Sequence, residues 1–216
     1  MGALVYLYMG ERSDHVEQAV KAIRDGYIII APLENSYVYL CDAFSHDAVR
    51  AMHVLRKDPL GVAAQVLVGN LEMAKGIIRG VPPIVEPLMV NFWPGLLTLN
   101  LRPQIGLTWD LGDDNELDLV SVRVPVAPFV LEVLQQSGPL AVASASPVGR
   151  PPLLNTREIT AREGDIAAIF GDGVLQGGTP TTILEVSDGG VRMVREGAIT
   201  REELMTASPF IFPTNQ

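Results

Sequence analysis

Cysteine is almost missing from this chain, with Cys41 alone among 216 residues. A single thiol forms no internal disulfide and no multi-thiolate metal site, and such usage fits a reducing cytoplasm. Cys41 itself reads as a small buried hydrophobe. Histidine is also scarce, at positions 15, 46 and 53, and this spacing matches no metal-ligand pattern. Each histidine is expected on a solvated helix or its flank, and no resident metal site is expected. Cations are in the minority: 16 Lys and Arg against 25 Asp and Glu leave a net charge of −9. That balance argues against a surface devoted to coating nucleic acid, while a local basic pocket stays compatible with it. No apolar run approaches the roughly 18 residues of a membrane span. The first fifteen residues lack a basic flank and a small-residue cleavage site, and they read as a strand. Also missing are the GxxxxGK[ST] loop, the GxGxxG fingerprint, the GxSxG elbow and a readable Cys–His nucleophile arrangement.

What is present is apolar and patterned. At 48% hydrophobic residues, the chain buries a sizeable core, and one domain over residues 1–206 with a loosely held tail over 207–216 is expected. Asp14 and Glu17 resemble a capping box ahead of the helical stripe Val16, Ala19, Val20, Ile23. Tyr27–Ala31 and Tyr37–Cys41 read as strands joined by the polar bend Leu33–Ser36. Ser45 or His46 opens a helix that Pro59 stops, and Gln65–Val68 is a strand. Asn70 caps the next helix. Pro83 is placed in the first turn of another, and Leu96–Leu101 is a strand. The acids Asp110, Asp113, Asp114, Glu116 and Asp118 lack the spacing of a calcium loop and read as a solvated excursion.

Asp118–Gly149 holds a whole strand, helix, strand and exit turn. Ser121–Val124 is the first strand, the helix runs from Ala127 to a glycine cap at Gly138, and Leu140–Ala143 ends in a turn of small residues. Arg123 interrupts an apolar strand and needs an anionic partner, either a carboxylate of the chain or a ligand. Beyond Gly149 come a proline-rich link, a short helix at Asn155 or Thr156, and the strand Ala167–Phe170. A hairpin over Thr181–Val186 and Val191–Arg195 follows, then a helix boxed by Thr200 and Glu203. This is an α/β pattern. Its strand-end polar groups are Glu34, Asn35, Arg56, Thr98, Arg123, Ser144, Ser146, Thr182 and Arg195. Arginines among small hydroxyl-bearing turns suit a polyphosphate or an acyl phosphate.

The sequence also resembles a known family over about Val16–Ile199. The segments PLENSYVYLCDA (32–43), FWPGLLTLNL (92–101), SVRVP (121–125), SASPVGRPP (144–152), GGTPTTILEV (177–186) and VREGAI (194–199) resemble, in order, those of the YrdC-type threonylcarbamoyl-adenylate synthases. The resemblance implies a twisted mixed sheet with flanking helices around a concave central cavity. It further implies formation of threonylcarbamoyl-AMP and pyrophosphate from L-threonine, bicarbonate and ATP, with Mg2+ accompanying ATP. The product would serve tRNA threonylcarbamoyladenosine modification, with tRNA or double-stranded RNA and other threonylcarbamoylation proteins as candidate partners. Carried over by position, Arg123 is the catalytic residue and joins Glu34, Asn35, Tyr37 and Thr98 around threonine. Arg56, Ser144, Ser146, Thr182 and Arg195 are expected on the nucleotide. The chain departs from the family pattern at Leu33, Asn35, Asp58, Ser146 and Val148. Those departures keep open a second reading, a catalytically weakened or inactive paralogue that binds nucleotide or RNA.

Overall fold

The computed structural model describes residues 3–212 except 115, 117, 160–163 and 165. In chain order the elements are β1 (Ala3–Tyr6), α1 (Arg12–Arg24), β2 (Ile28–Pro32), β3 (Tyr37–Asp42), α2 (His46–Arg56), β4 (Gln65–Leu67), α3 (Leu71–Ile77) and α4 (Glu86–Phe92). There follow β5 (Leu97–Leu101), β6 (Val120–Arg123), α5 (Pro128–Ser137), β7 (Leu140–Ser144), a 3-10 turn (Thr156–Glu158), β8 (Ile166–Gly171), β9 (Thr182–Ser187), β10 (Gly190–Arg195) and α6 (Arg201–Ala207). The strands form one sheet in the order β1-β8-β2-β3-β7-β4-β6-β5-β9-β10. It mixes parallel pairs, such as β4 with β6 and β5 with β9, with antiparallel ones, as expected for the fold class.

Strand alternation divides the core between the two faces of this sheet. Ile28, Ile30, Tyr37, Tyr39 and Cys41 join a cluster with Val49 and Met52 of α2, Leu88 of α4 and Leu204 of α6. Ile29, Ala31, Val38 and Leu40 instead join Val16 and Ile23 of α1 and Phe129 and Val133 of α5. A strand covered on both faces reads as a continuous apolar run, which is why Ile28–Ala31 carries no polar residue.

Several expectations change in detail. Helix α1 starts earlier, with Glu11 as N-cap and no side-chain cap bond. Asp14 therefore lies within the first turn, where its charge favours the helix dipole, and it is not a cap. Pro87, not Pro83, occupies the first turn of α4, because residues 82–85 close a turn through the Val85 N–H and the Pro82 carbonyl. His15 is buried, and His53 is largely so, whereas His46 sits on an exposed flank. The acidic stretch is not solvated throughout, since Trp109, Leu111 and Asp113 are buried. The expected loose tail begins packed: Ile211 and Phe212 are buried, Ser208 Oγ donates to the Ile84 carbonyl, and the Arg201 guanidinium lies 4.0 Å over the Phe212 ring. The remainder of that tail, 213–216, lies outside the described residues.

Candidate active site

Arg123 ends β6 and is 3% exposed. Its Nη1 donates to Glu34 Oε2 at 3.0 Å and to the Gly95 carbonyl at 3.2 Å. Glu34 Oε1 accepts the Val126 N–H at 2.6 Å. Glu34 lies in the bend after β2, four strand steps from β6 across β3, β7 and β4. By these pairings β2 and β6 run in opposite directions, and the bend after β2 meets the end of β6 through the Glu34–Arg123 pair. Both readings of Arg123 therefore coexist. It has a carboxylate partner, and its buried Nε has no partner among the described residues, an unused donor of the kind that marks a binding position.

Contacts run from this pair around a closed circuit. Asn35 Nδ2 donates to the Thr179 carbonyl at 2.7 Å. A Cβ on Gly178 would stand 2.5 Å from Asn35 Oδ1, so glycine permits the close approach. Two residues on, Thr181 accepts Arg195 Nε at its carbonyl (2.9 Å) and Arg195 Nη2 at its hydroxyl (2.7 Å). The Thr182 N–H then reaches the Leu96 carbonyl, and Gly95 returns the circuit to Arg123. On the far side of β3, the Ala145 N–H donates to the Tyr37 carbonyl, which brings the turn after β7 alongside the bend. In that turn the Ser146 N–H donates to Ser144 Oγ at 3.3 Å, and the Val148 N–H reaches the Arg56 carbonyl at 3.4 Å.

The expected site residues are thus gathered, but several have their polar atoms already committed. Tyr37 is fully buried; its hydroxyl donates to the Gly173 carbonyl and accepts the Asp172 N–H. Burial raises its pKa, and the Asp172 N–H works the other way. It positions the loop after β8 and presents no free hydroxyl to a ligand. Thr182 is likewise buried. Its Oγ1 donates to the Ile199 carbonyl at 2.6 Å and accepts the Gly197 and Ile199 N–H groups. Thr98 is 1% exposed and accepts Gln65 Nε2. Ser146 is 2% exposed. Sequence reasoning passed over Thr181, Gln65, Gly95 and Gly178. The available signal was spacing alone: Thr181 neighbours a threonine of the same type, and only side-chain alternation along β9 separates the buried hydroxyl from the half-buried one.

Arg56 stands beside the turn after β7 through its carbonyl. Its Nε lies 3.2 Å from Asp58 Oδ1 but makes no hydrogen bond among the described residues, and His53 Nδ1 lies 2.7 Å from Asp58 Oδ2. His53 Nε2 also contacts the Leu111 carbonyl at 2.8 Å. The acid that departs from the family pattern at position 58 has its side chain buried between His53 and Arg56. Among the described residues no group of three His, Cys, Asp or Glu side chains is placed to hold a metal ion, and no helix is long and apolar enough to cross a membrane.

A twisted mixed sheet with helices on its faces, closing a circuit of polar contacts around a buried arginine, defines an α/β fold with a candidate active site. The profile of the Sua5/YciO/YrdC family, described as "Telomere recombination", matches residues 21–197, and the chain belongs to that family. A Mycobacterium tuberculosis (strain H37Rv) protein provisionally named threonylcarbamoyl-AMP synthase is 31% identical over 195 residues, covering 90% of this chain and 89% of that protein. The Bacillus subtilis (strain 168) threonylcarbamoyl-AMP synthase is 26% identical over 198 residues, covering 88% of this chain and 55% of that enzyme. Among solved structures, Pyrococcus abyssi Sua5 complexed with L-threonine superposes with a TM-score of 0.83 at 23% identity. That match takes in 96% of this chain but 60% of the Sua5 chain. Escherichia coli YciO superposes at 0.78 with 23% identity, over 92% of this chain and 97% of its own. These two structural likenesses establish the fold.

Proposed function

We propose that this chain is an L-threonylcarbamoyladenylate synthase. The threonine amine adds to bicarbonate with loss of water to give a carbamate. A carbamate oxygen then bonds to the α-phosphorus of ATP, the bond from that phosphorus to the α–β bridging oxygen breaks, and pyrophosphate leaves. The observation that carries the reading is Arg123, buried where the bend after β2 meets the end of β6, with an Nε that has no partner among the described residues. A cation held there is suited to the carboxylate of threonine and to charge developing during phosphoryl transfer. Glu34 holds the guanidinium by one oxygen and the entry to α5 by the other, which is a positioning role. The small-residue turn Ser144–Gly149 and the Arg195–Thr181 pair face the nucleotide in this reading, while Tyr37, Thr98 and Thr182 hold the walls. Mg2+ enters with the triphosphate, whose charge it neutralises. A tRNA receives the threonylcarbamoyl group in a later step through partner proteins, in the cytoplasm.

One observation favours weaker catalysis than this reading alone would give. Asp58 places a carboxylate 3.2 Å from Arg56 Nε, and a guanidinium beside a carboxylate offers less net charge to a triphosphate. Mass spectrometry of a reaction with labelled bicarbonate tests the proposal. Label in threonylcarbamoyl-AMP is expected, and ATP-dependent products without the threonylcarbamoyl group would refute it.

A further inference from the structure

A second, separate cluster of cations lies where β5 and β9 end. These strands are parallel, with Leu97 opposite Thr182. They run away from the candidate active site toward Arg102 and Ser187. Five residue steps of about 3.3 Å separate the two ends by roughly 16 Å. There the Arg79 N–H donates to the Arg102 carbonyl at 3.0 Å, and Ile78 and Pro103 form an antiparallel bridge. Arg79, Arg102 and Ser187 line two adjoining hollows of about 340 and 520 Å³.

The two arginines differ in how they are held. Arg79 Nε donates to the Pro103 carbonyl at 3.1 Å, and Arg79 has no carboxylate partner among the described residues. Arg102 Nη2 bonds to Asp188 Oδ2 at 2.5 Å, but Asp188 is 84% exposed in the turn between β9 and β10. Such exposed pairs are weak and exchange readily with solvent ions. Asp118 also borders the larger hollow. Two neighbouring guanidiniums with donors to spare and a hydroxyl beside them match a multiply charged oxyanion better than an apolar ligand.

We propose that this groove binds a small phosphorylated anion, with Asp188 as the internal competitor that the anion displaces from Arg102. The test is isothermal titration of the full chain with pyrophosphate at low salt, comparing wild type, the double variant R79Q/R102Q and D188N. The double variant is expected to lose one class of sites, or to bind at that class at least about tenfold more weakly. D188N is expected to bind about threefold tighter, because it removes the competing charge and keeps both cations. Repeating the titration with inorganic phosphate and with a nucleoside monophosphate identifies which phosphorylated species is preferred. Unchanged stoichiometry and affinity in the double variant would overturn the proposal. So would D188N binding no tighter than wild type, or an RNA oligonucleotide binding through these arginines without competition from pyrophosphate. Both arginines are exposed, and if the double variant fails to fold, the single variant R79Q carries the same comparison.

Discussion

At the residue scale, Arg123 decides most. Glu34, whose side chain is 16% exposed beside Arg123, loses its cation in Arg123→Gln, at a cost of about 3–5 kcal/mol in stability. Replacing both members with neutral residues of similar size is expected to recover much of that loss, as chemical denaturation will show. Arg123→Lys keeps the charge but not the planar fork, and activity is expected to fall by about two orders of magnitude with far less loss of stability. Asp113 makes a different prediction. Both of its carboxylate oxygens are buried without hydrogen-bond partners among the described residues, and its pKa is raised, first by burial and then by Asp110 and Asp114. The folded state therefore holds that proton more tightly than the unfolded chain does. Its contribution is most favourable below the ordinary carboxylate range and is lost as pH rises through the folded pKa. Asp113→Asn should raise Tm by a few degrees at pH 7, with the gain disappearing in acid; the reverse trend would contradict this account. Sequence patterning identified Arg123 as needing an anion, because a lone charge in an apolar strand is costly. It missed the burial of Asp113, because burial there depends on Gly112 packing against His53, where a Cβ would stand 2.3 Å from Nε2.

At the scale of elements, the junction of β9 with residues 195–199 is the tightest part of the site. A Cβ on Gly197 would lie 2.2 Å from the Pro180 carbonyl oxygen. Gly197→Ala is therefore expected to cost about 1–3 kcal/mol and to pull Arg195 away from Thr181. Thr182→Val keeps the shape but strands the N–H groups of Gly197 and Ile199 that its hydroxyl satisfies, for about 1–3 kcal/mol. If Thr182 instead contacted nucleotide directly, this variant would raise KM for ATP with stability unchanged. Most elements were legible from periodicity and caps: Asn70 caps α3 by accepting the Met73 N–H, and Thr200 with Glu203 completes its capping box. The start of α1 was less legible, because its N-cap makes no side-chain bond and leaves no compositional mark.

At the scale of the molecule, the site exists because distant segments meet. Glu34 and Arg123 are 89 residues apart, and no local pattern pairs them. Motif order identified the family, but the meeting of the bend after β2 with the end of β6, across three intervening strands, is a tertiary fact. The same geometry lets a chain with a net charge of −9 bring Arg123 and Arg195 into one circuit of contacts. The most direct test of the central claim is pyrophosphate release by purified protein supplied with ATP, bicarbonate and magnesium, measured with and without L-threonine. Release that depends on threonine and falls about a hundredfold in Arg123→Lys is the predicted result. Release that is absent, or that proceeds equally without threonine, would contradict it.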